Sequence, residues 1–438
     1  MELKSGCNQP ALCDVLVIGG GPAGSTIAAL LAERGKSVVL LEKDQHPRFH
    51  IGESLLPFNV PLLARLGILH EVERTGMPKF GIEFVSPEHE KSGLLEFADG
   101  WHKELNYSFQ VRRSEFDHIL LKNAAAKGAA VVETCRVTAV DFVGGGALVA
   151  ATAEDGTQWQ WRASFLVDAS GRDTFLATRL KVKRRNRRHE SAAIFGYFTN
   201  AERLQGRAEG NISIFWFDQG WFWFIPLSDG TTSVGAVCRP DTFKRRDGDL
   251  TDLFKKLIDS CPGLAWRLKN ATLTGPAIAA GNYSYYSERM VGDRYIMVGD
   301  ASAFIDPIFS TGVYLAMHSA FLGADAVAAC LDHPDRARAA LKGFERDINR
   351  NLDRFSWFIY RITSPGIRSL FMETGNFLRV KEAVLALLAG DLAAKSPIRW
   401  RLLLFKALYY VKMLIHHIGK LVARPSVTVH YPPRSGSR

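Results

Sequence analysis

The glycines of one short loop have the spacing of a site that binds a diphosphate. In Gly19-Gly20-Gly21-Pro22-Ala23-Gly24, the glycines at 19, 21 and 24 match the pattern GxGxxG. In this pattern the first glycine allows a tight turn, the second lets the backbone approach a pyrophosphate, and the third lets a helix pack on a strand. Glu42 follows where a carboxylate accepts hydrogen bonds from a ribose diol. The loop, with Pro22 and Ala23, and Glu42 are therefore predicted to bind a dinucleotide.

The elements around this loop place it between a strand and a helix. Residues 14–18 form an apolar run typical of a buried parallel strand. An alanine-rich helix is predicted over about residues 25–32, ended by Gly35, and residues 37–41 are the next predicted strand. This order is one βαβ unit, in which the start of the helix faces the phosphates with the positive end of its dipole.

Three further segments resemble motifs that surround FAD in hydroxylase-type flavoproteins. Residues 298–301 (Val-Gly-Asp-Ala) follow a predicted strand, and the resemblance assigns Asp300 to the ribityl chain. Residues 167–172 (Val-Asp-Ala-Ser-Gly-Arg) resemble the middle motif, and Arg113 resembles the arginine that meets the flavin from the other side. Each could singly be an ordinary strand end or helix cap. Four motifs in the family's order nevertheless indicate FAD rather than NAD.

Residues 220–226 (Gly-Trp-Phe-Trp-Phe-Ile-Pro) carry a more specific resemblance. Their spacing, G-W-x-W-x-I-P, is similar to the signature that separates flavin-dependent halogenases from the hydroxylases of the same superfamily. Similar halogenase motifs occur at residues 50–57 (His-Ile-Gly-Glu-Ser-Leu-Leu-Pro), 79–81 (Lys-Phe-Gly), 306–313 (Asp-Pro-Ile-Phe-Ser-Thr-Gly-Val) and 387–391 (Leu-Leu-Ala-Gly-Asp). The chain therefore resembles the flavin-dependent halogenase family over about residues 12–395.

This resemblance implies a reaction in which reduced FAD, O2 and halide give hypohalous acid, which passes through a tunnel to the substrate. A lysine then holds the oxidised halogen, either as a hydrogen-bonded acid or as a haloamine, and Lys79 is the candidate. Apolar surroundings would also destabilise the charged form of such a lysine and favour a reactive amine. The competing interpretation of Lys79 is an ordinary solvated surface lysine.

The resemblance also implies where flavin and halide lie. Ser54 and Gly312 are expected to contact FAD, and the backbone N–H groups of Thr311 and Gly312 at a helix N-terminus are expected to bind halide. The alternative there is simple helix capping by Ser310 or Thr311. In the tryptophan signature, four residues are expected to separate flavin from substrate: Trp221, Trp223, Ile225 and Pro226. A core strand with alternating faces explains the same pattern, and both interpretations can hold together.

One departure from the family bears on the substrate. Tryptophan-specific halogenases carry a glutamate directly before their Ser-Thr-Gly triplet, whereas this chain has Phe309. In this respect it resembles the halogenases of phenols, pyrroles and carrier-tethered aryl groups, whose electron-rich rings need less activation. Free tryptophan is therefore not the expected substrate. The choice between a free and a tethered ring, and between chloride and bromide, stays open.

The expected fold class is α/β, with three parts. The resemblance implies a Rossmann-type FAD-binding lobe of the GR2/hydroxylase-like kind, an antiparallel β-sheet substrate lobe and a helical C-terminal region. The aromatic and threonine-rich composition of residues 191–238 independently indicates antiparallel sheet. The expected boundaries are 12–80, 105–175 and 285–345 for the FAD-binding domain, 81–104 and 176–284 for the substrate domain, 346–424 for the helices and 425–438 for a disordered tail.

Composition excludes several classes of site and partner. The six cysteines form no CxxC pair, which argues against zinc and disulfide frameworks and suits a reducing cytoplasm. No histidine pair has a third ligand at metal spacing, so no metal is predicted. No uncharged run of about 18 apolar residues occurs, and the polar first residues do not resemble a signal peptide. The net charge of +10 comes without a nucleic-acid-binding motif, so an acidic partner or an anionic membrane is preferred to nucleic acid.

Residues 399–424 are predicted to form an amphipathic helix. Basic or histidine side chains fall within about half of a helical wheel: Arg399, Arg401, Lys406, Lys412, His416, His417, Lys420 and Arg424. The other half is apolar, although Leu402, Phe405, Tyr409 and Met413 stray to the basic side. Such a helix could lie on the inner face of a membrane or bind an acidic acyl carrier protein. The alternative is packing on its own domain with a basic face toward solvent.

The sequence therefore predicts a cytoplasmic FAD-dependent halogenase that acts with a separate flavin reductase, because no second nucleotide fingerprint for NADPH is visible. Two alternatives remain at this point. One is an aromatic monooxygenase or prenyl-chain reductase that uses NADPH directly. The other is a non-catalytic FAD-bound partner in a biosynthetic assembly.

Overall fold

The computed structural model describes residues 10–89, 92–186, 191–244, 248–281, 284–305, 307–372, 377–392 and 398–422. The predicted disordered tail, residues 425–438, lies outside these ranges. The described strands are β1 (Ala11–Ile18), β2 (Val38–Leu41), β3 (Met77–Lys79), β4 (Gly81–Val85), β5 (Gly93–Glu96), β6 (Ser108–Gln110), β7 (Ala130–Val132), β8 (Cys135–Val143), β9 (Gly146–Ala153), β10 (Gln158–Asp168), β11 (Lys183–Arg185), β12 (Ala192–Thr199), β13 (Ile212–Phe217), β14 (Gly220–Pro226), β15 (Thr232–Cys238), β16 (Thr272–Leu273), β17 (Ile278–Ala280), β18 (Tyr285–Ser287), β19 (Val291–Gly292), β20 (Tyr295–Met297) and β21 (Ala303–Phe304).

The described α-helices are α1 (Pro22–Glu33), α2 (Asn59–Leu66), α3 (Leu69–Thr75), α4 (Arg113–Ala126), α5 (Phe175–Arg179), α6 (Pro240–Lys244), α7 (Leu250–Asp259), α8 (Pro262–Leu268), α9 (Thr311–Asp332), α10 (Ala337–Ile359), α11 (Pro365–Met372), α12 (Val380–Ala389) and α13 (Arg399–Val422).

The first large sheet is mainly parallel and carries the glycine loop. Its strand order is β19-β20-β10-β1-β2-β7, in which β1 pairs in parallel with β2 and β10, and β10 pairs in parallel with β20. Helix α1 connects β1 to β2, so the predicted βαβ unit is present, with α1 starting at Pro22 rather than at about residue 25. Val15, Leu16 and Val17 of β1 are fully buried, as expected for a strand covered on both faces.

The second large sheet is mainly antiparallel, with the order β16-β12-β15-β14-β13-β4-β5. Its strand β14 lies between β13 and β15 and alternates strictly along its length. Trp221, Trp223 and Ile225 face one cluster of apolar side chains, whereas Phe222 and Phe224 face another cluster that includes α7 and α8. The aromatic residues of β14 therefore form the core of this lobe on both sides of the sheet.

Four helices, α10 to α13, form the C-terminal region, so the expected fold class is confirmed. Among the described helices, α9 alone has the length and apolarity of a membrane span. Most of its apolar stretch is buried, and it packs against α1 and α10, as a core helix does. The domain boundaries given above stay a prediction.

Helix α13 packs on its own domain, but not in the orientation considered above, in which its basic side would face solvent. It packs on α11 and α12 through the residues that stray to its basic side, which are Leu402, Phe405, Tyr409 and Met413. Phe405 and Tyr409 are buried against Trp357. The wide apolar half of α13 consequently faces outward.

Candidate active site

A cavity of about 350 Å³ lies at the edge of the parallel sheet. The carboxyl ends of parallel strands meet at such an edge, and ligands of open α/β sheets bind there. Gly19 and Gly21 follow β1, Glu42 follows β2, residues 169–172 follow β10, and Asp300 follows β20; all line the cavity. Four segments far apart in sequence thus meet at one site.

The glycine loop has the geometry that its pattern predicts. Gly19 has φ of +99°, a conformation that glycine adopts without strain. A Cβ atom on Gly24 would lie 1.8 Å from the carbonyl oxygen of Gly19, so only glycine fits there. A Cβ atom on Gly21 would meet only the Arg48 guanidinium, at 3.5 Å. Gly21 therefore presents bare backbone to the cavity, where a diphosphate could approach.

Glu42 and Arg48 form the next part of the cavity wall. The carboxylate of Glu42 accepts hydrogen bonds from the backbone N–H groups of Gly20, at 2.5 Å, and Asp44, at 2.9 Å. Ribose hydroxyls would share these carboxylate oxygens. Arg48 also lines the cavity. Its buried Nε makes no hydrogen bond to the described residues, but it lies 3.9 Å from carboxylate oxygens of Glu42 and Asp44, and its Nη1 lies 3.5 Å from Asp117 Oδ2. Sequence reasoning missed Arg48, because a lone arginine in a loop carries no signal.

Arg113 lines the cavity and is held by a buried ion pair. Its guanidinium donates to both carboxylate oxygens of Asp117, at 2.8 and 3.0 Å, and to the carbonyl oxygens of Ile51 and Gly52. Burial alone would raise the pKa of Asp117, but the charge and hydrogen bonds of Arg113 outweigh it and hold the pKa below its usual value. Arg113 therefore ties helix α4 to the segment that precedes Ser54.

The two aspartates of the flavin motifs have different surroundings. Asp168 is fully buried and accepts hydrogen bonds from the N–H groups of Ser170 and Leu176, so it shapes the turn after β10. Asp300 faces the cavity, and desolvation raises its pKa to about 6. A carboxyl group with a raised pKa in a cavity is a good hydrogen-bond partner for ligand hydroxyls.

Lys79 is fully buried at the end of β3, so it is not a solvated surface lysine. Its ammonium donates to Ser54 Oγ at 2.9 Å and to the carbonyl oxygen of Leu55 at 3.1 Å, and it lies 5.4 Å from the centre of the Phe97 ring. No carboxylate among the described residues lies within ion-pair distance of its Nζ. Burial without a counter-charge lowers the pKa of Lys79 to about 7.

The short β3–β6 ribbon determines what surrounds Lys79. Ser108 pairs directly with Lys79 across the ribbon, so the two side chains point to the same side. Ser108 Oγ and Gln110 Oε1 are buried and have no hydrogen-bond partner in the described residues. Gly81 completes the Lys-x-Gly motif, since a Cβ atom there would lie 2.4 Å from the carbonyl oxygen of Leu95. Unpartnered polar groups beside an amine indicate a place where a small polar ligand could bind.

Ser54 connects the two parts of the site. It lines the large cavity and also accepts the hydrogen bond from Lys79, whereas Lys79 itself does not line the cavity. Lys79 therefore contacts a residue of the cavity wall without lining the cavity itself. This arrangement places the amine beside, and not inside, the predicted flavin site.

The tryptophan signature forms a further part of the cavity wall. Trp221, Trp223 and Ile225 line the cavity, whereas Pro226, the last residue of β14, does not. Trp223 lies across the neighbouring strand, and its indole N–H donates to Ser233 Oγ at 3.1 Å. A Cβ atom on Gly235 would lie 2.2 Å from the Trp223 ring, so Gly235 makes room for the indole.

Glu53 links this wall to the segment that carries Ser54. Its buried carboxyl accepts a hydrogen bond from the Tyr197 hydroxyl at 2.5 Å and another from the side chain of Ser233. The Ser233 hydroxyl in turn accepts the hydrogen bond of the Trp223 indole. Burial raises the pKa of Glu53. No sequence pattern assigns a role to Glu53 or marks Tyr197, which lies 144 positions from Glu53 in the sequence.

We expect Gly235→Ala to displace the Trp223 ring toward the cavity, because the added methyl group has no room beneath the indole. Overpacking of this kind costs about 1–3 kcal/mol of stability, and we expect FAD affinity to fall as well, because the displaced ring would enter the cavity. Gly275→Ala is the matched control, since a Cβ atom there would meet nothing within 4 Å. Titration of FAD followed by flavin fluorescence measures the effect. Equal affinities for the two variants would show that Trp223 does not shape the cavity.

The predicted halide residues lie at the start of α9. Gly312 lines the large cavity and Thr311 lines a small adjoining one. Ser310, the N-cap residue, is in the left-handed conformation, and its side chain makes no capping hydrogen bond. The first backbone N–H groups of a 22-residue helix therefore point toward the cavity, with the positive end of its dipole. The predicted role in halide binding stays a prediction.

The residues of the cavity fit FAD. The bare backbone at Gly21 and the Arg48 guanidinium, whose Nε makes no hydrogen bond to the described residues, suit a pyrophosphate. Glu42 suits a ribose, and Asp300 suits a polyol chain. No cluster of three or more potential metal ligands occurs among the described residues.

Comparison with known proteins agrees with this geometry. A sequence profile of the family described as tryptophan halogenase matches residues 14–103 and 88–363. The flavin-dependent halogenase armH3 of Armillaria mellea is 37% identical over 348 residues, which cover 74% of this chain and 68% of that protein. The tryptophan 2-halogenase of Chondromyces crocatus is 38% identical over 334 residues, 73% of this chain, and the match spans 61% of that protein's length.

Two further proteins match over a larger share of their length. The 1H-pyrrole-2-carbonyl-(peptidyl-carrier protein) chlorinase of Pseudomonas fluorescens is 28% identical over 401 residues, 86% of this chain and 89% of that protein. The solved structure of the myxobacterial chondrochloren halogenase CndH, a variant of FAD-dependent halogenases, is 33% identical with a TM-score of 0.77. It covers 92% of this chain and 97% of that one.

Proposed function

The chain belongs to the tryptophan halogenase family of flavin-dependent halogenases, and from this premise we propose that Lys79 delivers the oxidised halogen to an electron-rich aromatic or pyrrole ring. Its cofactor is FAD, and its inorganic substrate is a halide ion. The observation that carries the proposal is the buried amine of Lys79. It donates a hydrogen bond to Ser54, a residue of the cavity wall, and burial lowers its pKa to about 7.

The cavity residues are proposed to hold FAD as follows. Gly19, Gly21 and the start of α1 bind the pyrophosphate with Arg48, Glu42 binds ribose, and Asp300 binds the ribityl chain. Further contacts come from Pro22, Ala23, Gly24, Ser54, Arg113 and Gly312. When bound and reduced, the flavin supplies the reaction of O2 with halide that yields hypohalous acid. Halide is proposed to bind at the backbone N–H groups of Thr311 and Gly312, where the helix dipole favours an anion.

Lys79 is proposed to bind hypohalous acid through its Nζ, with Ser54 and Ser108 as neighbouring polar groups. Because burial lowers the pKa of Lys79 to about 7, both the protonated and the neutral amine are accessible near neutral pH. The protonated form can donate a hydrogen bond to the oxygen of the acid, and the neutral form can accept halogen as a haloamine. With hydrogen-bonded hypohalous acid, the ring carbon takes the halogen, and the departing hydroxide takes the ring proton and leaves as water. Formation of the haloamine releases water first; transfer of its halogen to the ring carbon then returns the ring proton to the amine.

The wall of Trp221, Trp223 and Ile225 is proposed to keep the organic substrate away from the flavin. Three large side chains line the cavity on one face of β14, and Gly235 and Ser233 fix the orientation of Trp223. A substrate excluded in this way cannot take oxygen directly from the flavin. This exclusion favours halogenation over hydroxylation, the chemistry of the NADPH-dependent alternative.

The substrate is proposed to be a phenol, a pyrrole or a related aryl group. Phe309 is buried in an apolar cluster, so its position offers no carboxylate to assist a weakly activated ring. A ring that carries its own hydroxyl or pyrrole nitrogen needs no such group. The competing candidate is tryptophan, which is favoured by the named activity of the Chondromyces crocatus relative.

Two partners are part of the proposal. A separate flavin reductase would supply reduced FAD, and an acidic acyl carrier protein would present a tethered substrate, as the name of the Pseudomonas fluorescens relative suggests for that protein. The proposed location is the cytoplasm, where thiols stay reduced. All five described cysteines are buried free thiols, in keeping with it.

Incubation with reduced FAD, O2 and bromide over a panel of substrates tests the function. The panel contains phenols, free pyrroles, pyrrole-2-carbonyl groups loaded on a carrier protein, and tryptophan. We expect brominated products only from the electron-rich rings, identified by mass and isotope pattern. Bromination of tryptophan alone would contradict the proposed substrate class. Hydroxylated products with stoichiometric NADPH oxidation would contradict the proposed reaction.

A further inference from the structure

Helix α13 exposes an unusually wide apolar face. Seven large apolar side chains on this helix are between 49% and 66% exposed: Trp400, Leu403, Tyr410, Val411, Leu414, Ile415 and Ile418. At 100° per residue they lie within an arc of about 140°, opposite the side that packs on α11 and α12. From Trp400 to Ile418 this apolar stripe is about 27 Å long at 1.5 Å per residue. Soluble proteins rarely expose a continuous apolar surface of this length without a partner.

Positive charge borders the apolar stripe on both sides. Arg399 lies beside one edge, and Arg401 and Lys412 lie beside the other, while α13 contains no aspartate or glutamate. The apolar exposure continues at Leu378, whose carbonyl oxygen accepts a hydrogen bond from Arg401 at 3.2 Å. The surface thus combines an apolar centre with basic margins, in a chain whose net charge is +10.

From this arrangement we propose that the apolar stripe of α13 binds the surface of a bilayer that contains anionic phospholipids. An amphipathic helix with aromatic and aliphatic residues on one face and basic residues at its margins lies in the plane of such a surface. The aliphatic side chains would enter the boundary between headgroups and acyl chains, and the positive charge along the margins would attract the phosphates. Trp400 and Tyr410 are residue types enriched at membrane interfaces.

Two other occupants fit the surface less well. Between its margins the apolar stripe offers only the Trp400 indole and the Tyr410 hydroxyl as polar groups, whereas a specific protein interface usually contains about ten hydrogen bonds. A second copy of this chain would bring rows of like charge together along the two helices, which costs energy. A bilayer requires no hydrogen bonds at the centre of the stripe and contributes negative charge at its edges.

Co-sedimentation with lipid vesicles tests the proposal. The full chain with FAD is mixed with phosphatidylcholine vesicles, with and without phosphatidylglycerol. We expect binding to the anionic vesicles, weakened but not abolished by added salt, since the apolar contact is not screened. The double variant Leu414→Gln/Ile415→Gln should bind at least about tenfold more weakly, because burial of each side chain in the lipid is lost. Leu12→Gln, which alters an exposed leucine on β1, is the matched control and should bind like the unaltered chain.

Three readouts make the outcome decisive. Melting temperature checks that the double variant is folded. Halogenation of a soluble substrate without lipid should be unchanged in this variant. Vesicle binding itself is measured without any organic substrate, so it does not depend on the proposed substrate class. Lipids brominated on the acyl chain should quench tryptophan fluorescence, and less so in Trp400→Phe. Failure of the folded chain to bind anionic vesicles would overturn the proposal. The proposal would also be overturned if, without lipid, the unaltered chain and the Leu12→Gln control formed a dimer or a complex with an acidic carrier protein and the double variant did not.

Discussion

Replacing Lys79 with methionine is expected to lower the yield of halogenated product by at least about 100-fold, the scale of losing a positioned proton-transfer group. Methionine is similar in length and suits a fully buried site, but it has no amine to hold hypohalous acid. FAD binding and O2 consumption should persist, because Lys79 does not line the flavin cavity. The measurements are product by mass spectrometry and O2 by electrode, with Lys103→Met, an exposed lysine, as control. Normal halogenation by Lys79→Met would remove Lys79 from the mechanism.

The pH dependence of stability provides an independent check on Lys79. Burial lowers its folded pKa from 10.5 to about 7. Between these values the unfolded chain binds the extra proton and the folded chain does not, so stability rises with pH. The destabilisation is fully present below pH 7 and is lost toward pH 10.5. Lys79→Met should therefore melt above the unaltered protein at pH 6, by a margin that shrinks as pH rises; a margin independent of pH would mean that the amine is not desolvated.

Gly21→Val is expected to abolish FAD binding while leaving the protein folded. The Cβ position at Gly21 is free except for the flexible end of Arg48, so the ligand-free fold tolerates a side chain there. The same side chain would occupy the space through which the backbone approaches the pyrophosphate. The purified variant should be colourless, with a melting temperature close to that of the unaltered protein stripped of FAD.

Gly24→Ala separates loss of the ligand from loss of the loop. Its Cβ atom would lie 1.8 Å from the Gly19 carbonyl oxygen, so even one methyl group must disturb the packing of α1 on β1. We expect this variant to have a lower melting temperature than the FAD-free protein, in addition to weak FAD binding. A yellow Gly21→Val protein with full FAD occupancy would show that the loop is not the flavin site.

The parallel lobe could be predicted from the sequence because its signals are local. A continuous apolar run gave β1, an alanine-rich stretch closed by a glycine gave α1, and the strict alternation of β14 was visible in its own seven residues. Such patterns depend on neighbours within a few positions. The order of the motifs then indicated FAD rather than NAD.

Contacts between distant segments could not be predicted in this way. Arg48 and Tyr197 reach the site through loop and strand positions that no periodicity marks. The helical wheel of α13 correctly sorted its residues, but it could not determine which face packs inward. That choice depends on residues of other helices. Phe405 and Tyr409 of α13 pack against Trp357, and Phe405 also packs against Phe371, whereas the broader apolar face of α13 stays outside.

The meeting of four strand ends at one cavity has a consequence for the lifetime of the protein. Gly19 and Asp300 are 281 positions apart in the sequence, yet both line the cavity in which one FAD molecule would contact them. A ligand that binds only the folded chain stabilises it by RT ln(1 + [L]/Kd), about 2.7 kcal/mol when free ligand exceeds Kd a hundredfold. We therefore expect flavin supply to affect abundance as well as turnover, since chains without FAD would stay open to proteolysis for longer.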